Sequence, residues 1–289
     1  MESIEKIENG NLNDAYKLVL NNKKYILRVT KFNNDCEINT LLILKKYNLN
    51  VPNLLAHFSV YNKNVMLLDY IEGSNPLKID TKFITELLKQ LKELHNIPYE
   101  HLEEKSINTI ENFERLSEYY VVSKESNFLK QKIHLINSIL EDVRDIPFDK
   151  IPKCIVHSDI KKENVLVNNN IVYIIDFGNS YIGNRLIDLV RIIMWFFLKE
   201  NDFNIDEIEN SFKVYFENNH LIDLEYNNLS KIIKFCVIYN LIKDVYLFEK
   251  GFLSENYVVK NDTKWLNALE NEQLLEKVKE ALNNASRYS

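Results

Sequence analysis

Within residues 157–188, acidic and amide side chains recur at intervals that suit one reaction, phosphoryl transfer. Asn164 follows Asp159 after four intervening residues, and Asp176 comes twelve residues after Asn164. Phosphoryl transfer uses a carboxylate that orients and deprotonates the attacking hydroxyl, together with oxygen ligands that hold Mg²⁺ against the phosphates. We therefore interpret Asp159 as the catalytic base, and Asn164 and Asp176 as the ligands of a magnesium ion.

Short apolar runs beside these residues predict the strands that position them. The second and third runs are separated by asparagines, which favour tight turns, so they should form a hairpin that brings Asp176 beside the loop of Asp159 and Asn164. Gly178 is expected to let the backbone turn away directly after Asp176. The predicted strands are Cys154–Val156, Val165–Val167 and Ile171–Ile175.

Two stretches of sequence resemble kinase motifs. HSDIKKEN at 157–164 is similar to a kinase catalytic loop, and IDFG at 175–178 is similar to the metal-binding motif. The Ala-Pro-Glu of protein kinases is missing, and 185–190 instead resembles a helix start of the aminoglycoside phosphotransferases. The chain thus resembles the aminoglycoside phosphotransferase and choline kinase superfamily, which implies an ATP- and magnesium-dependent phosphotransferase.

The resemblance also implies the fold, an α+β, two-lobed, protein-kinase-like architecture. We expect a small β-rich N-lobe over 1–73 and a larger, mostly helical C-lobe over 74–289, with the substrate-binding helices in the C-lobe. The N-lobe pattern includes a hairpin around Asn21-Asn22 and one helix. The helices predicted from apolar spacing are 37–47, 83–95, one or two within 113–146, 186–199, 204–219, 227–249 and 264–285.

Five N-lobe residues are assigned to the nucleotide by the same resemblance. Gly10 lies in a degenerate nucleotide-covering loop, and Asp69 and Ile71 lie in the hinge strand, where backbone groups would bind adenine. Arg28 occupies the place of the kinase strand lysine, which holds the α- and β-phosphates, and Glu37 would fix its rotamer. An exposed ion pair is the alternative interpretation of Arg28 and Glu37.

Lys161 has two interpretations. It lies two residues after Asp159, where it could neutralise the transferring phosphoryl group, or it is a solvated loop lysine. Because protein kinases carry lysine at this position, a protein or peptide kinase is the alternative enzyme. A nucleotide-binding pseudokinase scaffold is a further alternative, favoured by the degenerate loop at Gly10.

The acceptor is expected to be the hydroxyl group of a small molecule. Acidic residues accumulate over 200–225, where aminoglycoside and amino-alcohol kinases bind cationic substrates, although such a run is also typical of a solvated helix face. Trp265, Tyr239 and Tyr246 would offer aromatic faces to a cationic amine, or belong to the core. Asp188 is interpreted as a brace for the catalytic loop or as a helix cap.

Composition argues against several other classes of protein. The net charge of −6 disfavours a nucleic-acid partner, and the longest apolar run, Ile192–Leu198, is too short to span a membrane. The first six residues lack the apolar core of a signal peptide. Three widely spaced cysteines indicate reduced thiols, so we expect a cytoplasmic protein.

Overall fold

The structure is a computed structural model, and it describes residues 3–7, 14–30, 35–47, 49–61, 63–99, 109–199 and 202–288. The strands of this part are β1 Ser3–Ile7, β2 Asp14–Leu20, β3 Lys23–Thr30, β4 Leu54–Val60, β5 Lys63–Asp69, β6 Cys154–Val156, β7 Val165–Asn168, β8 Ile171–Ile174, β9 Tyr181–Gly183, β10 Leu198–Lys199 and β11 Asp202–Phe203. The α-helices are α1 Asp35–Leu44, α2 Thr81–His95, α3 Thr109–Ser123, α4 Asn127–Lys130, α5 Ile133–Arg144, α6 Leu186–Ile192, α7 Ile205–Phe216, α8 Asp223–Glu249, α9 Glu255–Glu270 and α10 Glu272–Arg287.

The contacts divide the chain into two compact units. The first unit comprises Met1–Ser106 together with His157–Tyr181, and the second comprises Ile107–Val156 together with Ile182–Ser289. The first unit holds the large sheet and the second holds most of the helices, which confirms the predicted α+β class with a β-rich N-terminal part and a helical C-terminal part.

An antiparallel sheet dominates the first unit, and among the described residues its strand order is β1-β2-β3-β5-β4. β2 and β3 are joined by Asn21 and Asn22, and Leu20 pairs with Lys23 across the turn. Both asparagines have positive φ, 50° and 59°. A two-residue hairpin turn whose strands twist correctly needs positive φ at both positions, and asparagine tolerates it. The predicted N-terminal hairpin is confirmed.

The second hairpin of the first unit has the same kind of turn. β7 pairs with β8 in the register Asn168–Ile171, and Asn169 and Asn170 form the turn with φ values of 49° and 68°. α2 packs against β8. The apolar face of α2 explains this packing, since its leucines are completely buried: Leu87, Leu88 and Leu91.

In the second unit, the long helix α8 is contacted by α3, α5, α6, α9 and α10. The structure corrects several predicted helix bounds here. Only the first part of the predicted helix 186–199 is α-helical, because α6 ends at Ile192. A π-helical turn follows over Ile193–Phe197, and the short strands β10 and β11 come after it. The predicted helix 264–285 is two helices, because Asn271 interrupts it and caps α10 with its side chain.

None of the helices in the described residues is both long and apolar enough to cross a membrane.

Candidate active site

The loop between β6 and β7, the candidate catalytic loop, holds Asp159 in one orientation. The amide Nδ2 of Asn164 donates to the backbone carbonyl of Asp159 at 2.9 Å and to its carboxylate Oδ2 at 3.0 Å. The ammonium of Lys161 lies 3.0 Å from the same Oδ2. Asp159 and Asn164 are buried, and the Lys161 side chain is 24% exposed. The structure therefore brings these three predicted residues together, and Lys161 is not simply a solvated lysine.

His157 links this loop to the segment that carries Asp176. The backbone N–H of Asp159 donates to Nδ1 of His157 at 3.2 Å, and Nε2 lies 2.9 Å from the carbonyl oxygen of Ile175. Because Nδ1 accepts a hydrogen bond, Nε2 carries the proton and donates to Ile175. The ring also packs edge-on against Phe177, at 4.7 Å between centroids. The buried imidazole thus links the candidate catalytic loop to the segment of Asp176 through hydrogen bonds at both ring nitrogens.

The turn after β8 differs from the expected one. Asp176 itself adopts the left-handed conformation, with φ 66° and ψ 69°, so the expectation that Gly178 makes the turn is wrong. Aspartate tolerates this region better than most residues. Gly178 is needed for close approach instead, since a Cβ there would lie 3.2 Å from Nη2 of Arg28 and 3.4 Å from Oδ1 of Asp176.

Arg28 joins two carboxylates that are far apart in sequence. Its Nη1 lies 2.5 Å from Oε1 of Glu37, and its Nη2 lies 2.8 Å from Oδ1 of Asp176. The Arg28 and Glu37 side chains are 12% and 4% exposed, which excludes the alternative of an exposed ion pair. Asp176 is 39% exposed at the side chain.

Burial controls the electrostatics of this triad. Burial raises the pKa of Glu37 to about 7, and the charge of Arg28 opposes that rise. Burial by itself lowers the pKa of Arg28, but the carboxylates of Asp176 and Glu37 outweigh it, so the pKa of Arg28 is raised overall. Arginine therefore stays charged, and Glu37 is the member that takes up a proton near neutral pH.

Asn164 and Asp176 offer oxygen donors that suit magnesium. Both amide hydrogens of Asn164 point to Asp159, so its carbonyl oxygen is the donor atom that remains. Asp176 supplies a carboxylate, and the backbone N–H of the preceding Ile175 donates to the backbone carbonyl oxygen of Asn164 at 3.0 Å, which leaves the side-chain oxygen of Asn164 out of that bond. Carboxylate and amide oxygens are the hard ligands that Mg²⁺ prefers, so the residues fit the ion.

The hinge residues have a different environment. Asp69 ends β5, and its carboxylate accepts from the backbone N–H and side-chain amide of Asn53 at 2.6 and 2.8 Å. The backbone N–H of Asp69 donates to the carbonyl of Asn53 at 3.1 Å, so that N–H is already used within the protein. Ile71 follows beyond the end of β5, half-buried and outside regular secondary structure. Gly10, the fifth predicted nucleotide residue, lies outside the described residues.

One residue that orders the catalytic loop was not found from the sequence. Nδ2 of Asn75 lies 3.0, 3.1 and 3.0 Å from the backbone carbonyls of Lys162, Glu163 and Val165, so it holds the loop on both sides of Asn164. The backbone of Gly73 approaches closely as well, because a Cβ there would lie 3.1 Å from the carbonyl of Val167. The motif Gly-Ser-Asn-Pro marks a loop, and that was the only signal for Asn75.

The acidic region of the second unit is not one substrate-binding face. Glu225 is completely buried and accepts from Arg185 at 2.9 and 2.7 Å, which makes it part of a structural ion pair. Trp265 is 2% exposed and packs edge-on against Trp195, so it belongs to the core.

Asp188 is buried in the first turn of α6, and the helix begins two residues earlier, so Asp188 is not its N-cap.

One protein family matches most of this chain by sequence. A sequence model described as the phosphotransferase enzyme family matches residues 3–212, which is more than two thirds of the chain. No curated protein sequence matches the chain.

Solved structures show the same fold at low sequence identity. A spectinomycin phosphotransferase in complex with ADP and spectinomycin is 16% identical, with a TM-score of 0.63 over 98% of this chain and 94% of that one. An ethanolamine kinase from Plasmodium vivax is 17% identical, with a TM-score of 0.69 over 96% and 84%. A macrolide 2'-phosphotransferase is 14% identical, with a TM-score of 0.64 over 92% and 91%. The two-lobed, kinase-like fold is confirmed.

Proposed function

Because this chain belongs to the phosphotransferase enzyme family, we propose that it transfers the γ-phosphoryl group of ATP to a hydroxyl group of a small molecule, with Mg²⁺ as cofactor. The observation that carries the proposal is the fixed carboxylate of Asp159, which accepts from Asn164 and contacts Lys161 at 3.0 Å in each case. A carboxylate held in this way can bind the acceptor hydroxyl in one orientation and take its proton as transfer begins.

Arg28 and the two proposed metal ligands, Asn164 and Asp176, would bind the nucleotide. Arg28 is held by Glu37 at 2.5 Å and reaches Asp176, so its guanidinium is positioned to contact the α- and β-phosphates. Asn164 and Asp176 would hold the magnesium ion through their oxygens, and the bound ion supplies positive charge against the phosphates. Ile71 would contribute backbone groups to adenine, with Gly10 covering the phosphates.

Lys161 has a role on the acceptor side of the phosphates. Its ammonium is close enough to Asp159 to hold the carboxylate, and charge of this sign stabilises the transferring phosphoryl group. We therefore count Lys161 with Asp159 as catalytic.

For the acceptor, we propose a hydroxylated small molecule of the aminoglycoside or amino-alcohol type, including cationic ones. Support comes from the similar structures, one of which is a spectinomycin phosphotransferase and another an ethanolamine kinase. In the second unit, the ring of Tyr119 stacks on Tyr246 at 4.6 Å and meets the edge of Tyr239 at 6.3 Å between centroids, and the ammonium of Lys250 lies 5.6 Å from the centroid of Tyr246. These rings pack against other side chains of the same unit, so they do not support the acceptor proposal.

The proposal is tested with Asp159→Asn, which keeps the shape of the side chain and removes its basicity. We expect kcat to fall by at least about a hundredfold, since that is the usual contribution of a positioned base. Binding of Mg–ATP, measured by calorimetry, should be nearly unchanged, because the proposal assigns Asp159 to the acceptor hydroxyl and not to the nucleotide. Acceptors to assay are aminoglycosides, spectinomycin, macrolides, choline, ethanolamine, homoserine and a generic protein substrate.

Asp149→Asn is the matched control, since Asp149 is an exposed aspartate of the second unit. It should behave as the wild type. Near-normal turnover by Asp159→Asn would refute the assignment of the base. Phosphate transfer to the protein substrate alone would favour a protein kinase, and binding of Mg–ATP without transfer to any acceptor would favour a pseudokinase.

A further inference from the structure

A buried polar contact joins α1 to the end of the turn that carries Asp176. The hydroxyls of Thr40, on α1, and Ser180 lie 3.1 Å apart, although 140 positions separate the two residues in the chain. Each is 1% exposed. The thiol of Cys36, one turn earlier on α1, donates to the carbonyl of Ser180 at 2.8 Å. Two side chains of α1 therefore hold one residue, by its hydroxyl and by its carbonyl.

The direction of the hydroxyl contact follows from counting hydrogens. Ser180 donates its single hydroxyl hydrogen to the carbonyl of Phe177 at 2.6 Å. Its oxygen therefore acts as the acceptor toward Thr40, and Thr40 is the donor. The backbone N–H of Ser180 also donates to Phe177, at 3.0 Å. Ser180 thus closes the turn on itself, and Thr40 and Cys36 attach that closed turn to α1.

The same two elements carry both carboxylates of the Arg28 triad. Glu37 lies between Cys36 and Thr40 on α1, and Asp176 begins the turn that Ser180 ends. The hydroxyl of Ser158, from the catalytic loop, donates to the carbonyl of Asn179 within the turn at 2.5 Å. The position of Asp176 therefore depends on both α1 and the catalytic loop.

We propose that Thr40 and Ser180 are positioning residues for the magnesium ligand Asp176. The two hydroxyls contact each other, and that of Ser180 also donates to the carbonyl of Phe177, the residue after Asp176. Their contact fixes the distance from α1 to the turn. Asp176 and Glu37 are thereby held where both contact Arg28, and Asp176 is held where it can bind the metal. The inference rests on the proposed function, because it concerns how the same site holds magnesium with its nucleotide.

The test is Thr40→Val, which keeps the size and branching of threonine and removes the donor. The magnesium concentration that gives half-maximal nucleotide binding in calorimetry, and half-maximal activity at saturating ATP, should rise about fivefold, the effect of losing one buried hydrogen bond of typical strength. Ser180→Ala loses both hydroxyl contacts and should raise it further. KM for the acceptor should stay the same in both variants, since Asp159, the residue proposed to bind the acceptor hydroxyl, lies outside this turn.

Thr40→Ser is the conservative variant, and it should restore the wild-type magnesium requirement because it keeps the hydroxyl. Ser123→Ala is the control for simple destabilisation. Ser123 is a completely buried serine of the second unit whose hydroxyl donates to the carbonyl of Tyr119 at 2.7 Å. Its loss should lower the melting temperature and leave the magnesium requirement unchanged.

An unchanged magnesium requirement in folded Thr40→Val and Ser180→Ala would overturn this inference and leave the proposed function intact. The same conclusion follows if Ser123→Ala, at equal loss of stability, raises the requirement as much. Calorimetry on the wild type distinguishes a failure of this inference from a failure of the proposed function itself. If no magnesium-dependent nucleotide binding is found there, the proposed function is wrong and this inference is overturned with it.

Discussion

Arg28 is the residue on which the electrostatics of the site depend. It contacts Glu37 and Asp176 at 2.5 and 2.8 Å, one from a helix and one from a turn, and it remains charged throughout the accessible pH range. Removing either carboxylate from a buried ion pair leaves a charge without its partner, which is costly. The carboxyl group that can lose its charge at little cost is Glu37, because burial raises its pKa to about 7.

This raised pKa makes a prediction about stability and pH. The folded protein holds a proton on Glu37 between its ordinary pKa of 4.5 and its folded pKa of about 7, while the unfolded chain does not. The contribution of Glu37 to stability is therefore complete below pH 4.5 and is lost as the pH rises through 7. Glu37→Gln removes this contribution, which amounts to at most about 3 kcal/mol.

The measurement is the free energy of unfolding of the nucleotide-free protein in urea, at intervals from pH 5 to 8. Wild type minus Glu37→Gln should decline with pH across this range. Glu86→Gln, which changes an exposed glutamate paired with Lys89 on α2, should give a flat difference. A flat difference for Glu37→Gln as well would show that Glu37 keeps its ordinary pKa.

At the scale of elements, two hairpins with asparagine turns place the site. The β2–β3 hairpin carries Arg28, and the β7–β8 hairpin connects Asn164 to Asp176. Each turn has positive φ at two consecutive asparagines, so the turn geometry is a local property of the chain. The register of β7 and β8 then determines where Asp176 emerges.

Asn170 allows the turn geometry to be tested, since it is exposed and its φ is 68°. Asn170→Val should destabilise the protein by about 1–2 kcal/mol, because a branched side chain clashes with the backbone at positive φ. Asn170→Gly should be neutral or slightly stabilising, since glycine adopts this conformation freely. The midpoints of urea unfolding measure both. Equal midpoints for the two variants would show that the turn does not have this conformation.

At the scale of the whole molecule, one compact unit contains every described residue that we assign to catalysis, metal or nucleotide. That unit is assembled from two separate segments of chain, and the Arg28–Asp176 ion pair joins them across 148 positions. Binding of a nucleotide to both segments should oppose their separation. Any ligand that binds the folded state alone raises its stability in proportion to the logarithm of its concentration.

We therefore expect Mg–ATP to raise the melting temperature of the wild type as its concentration increases. The gain at a hundred times Kd is about 2.7 kcal/mol. Arg28→Gln should lose most of this gain, because the contact with the phosphates is gone. Lys132→Gln, which removes an exposed ion pair with Glu270 in the second unit, should keep it. An equal gain in Arg28→Gln would place the nucleotide elsewhere.

The sequence by itself determined the family resemblance, the α+β class, the hairpins and the candidate catalytic loop. These features can be predicted because each depends on residues that are close together in the chain. Examples are the four residues between Asp159 and Asn164, the asparagine pair between two apolar runs, and the aspartate at a strand end. Patterns within one element survive in the sequence whatever the rest of the chain does. Bounds of the C-terminal helices were less legible, since one polar residue, Asn271, divides a continuous helical pattern.

Tertiary structure alone decided how the turn after β8 is made and what holds it. The turn that was expected at Gly178 is made by Asp176 in the left-handed conformation, and Gly178 instead leaves room for Arg28. Thr40 and Ser180 meet across 140 positions, and Asn75 reaches carbonyls 87 and more residues away. Threonine, serine and asparagine occur everywhere in loops and helices, so their type carries no sign of a distant partner. Such contacts arise when packing brings two elements together and buried polar groups must be satisfied.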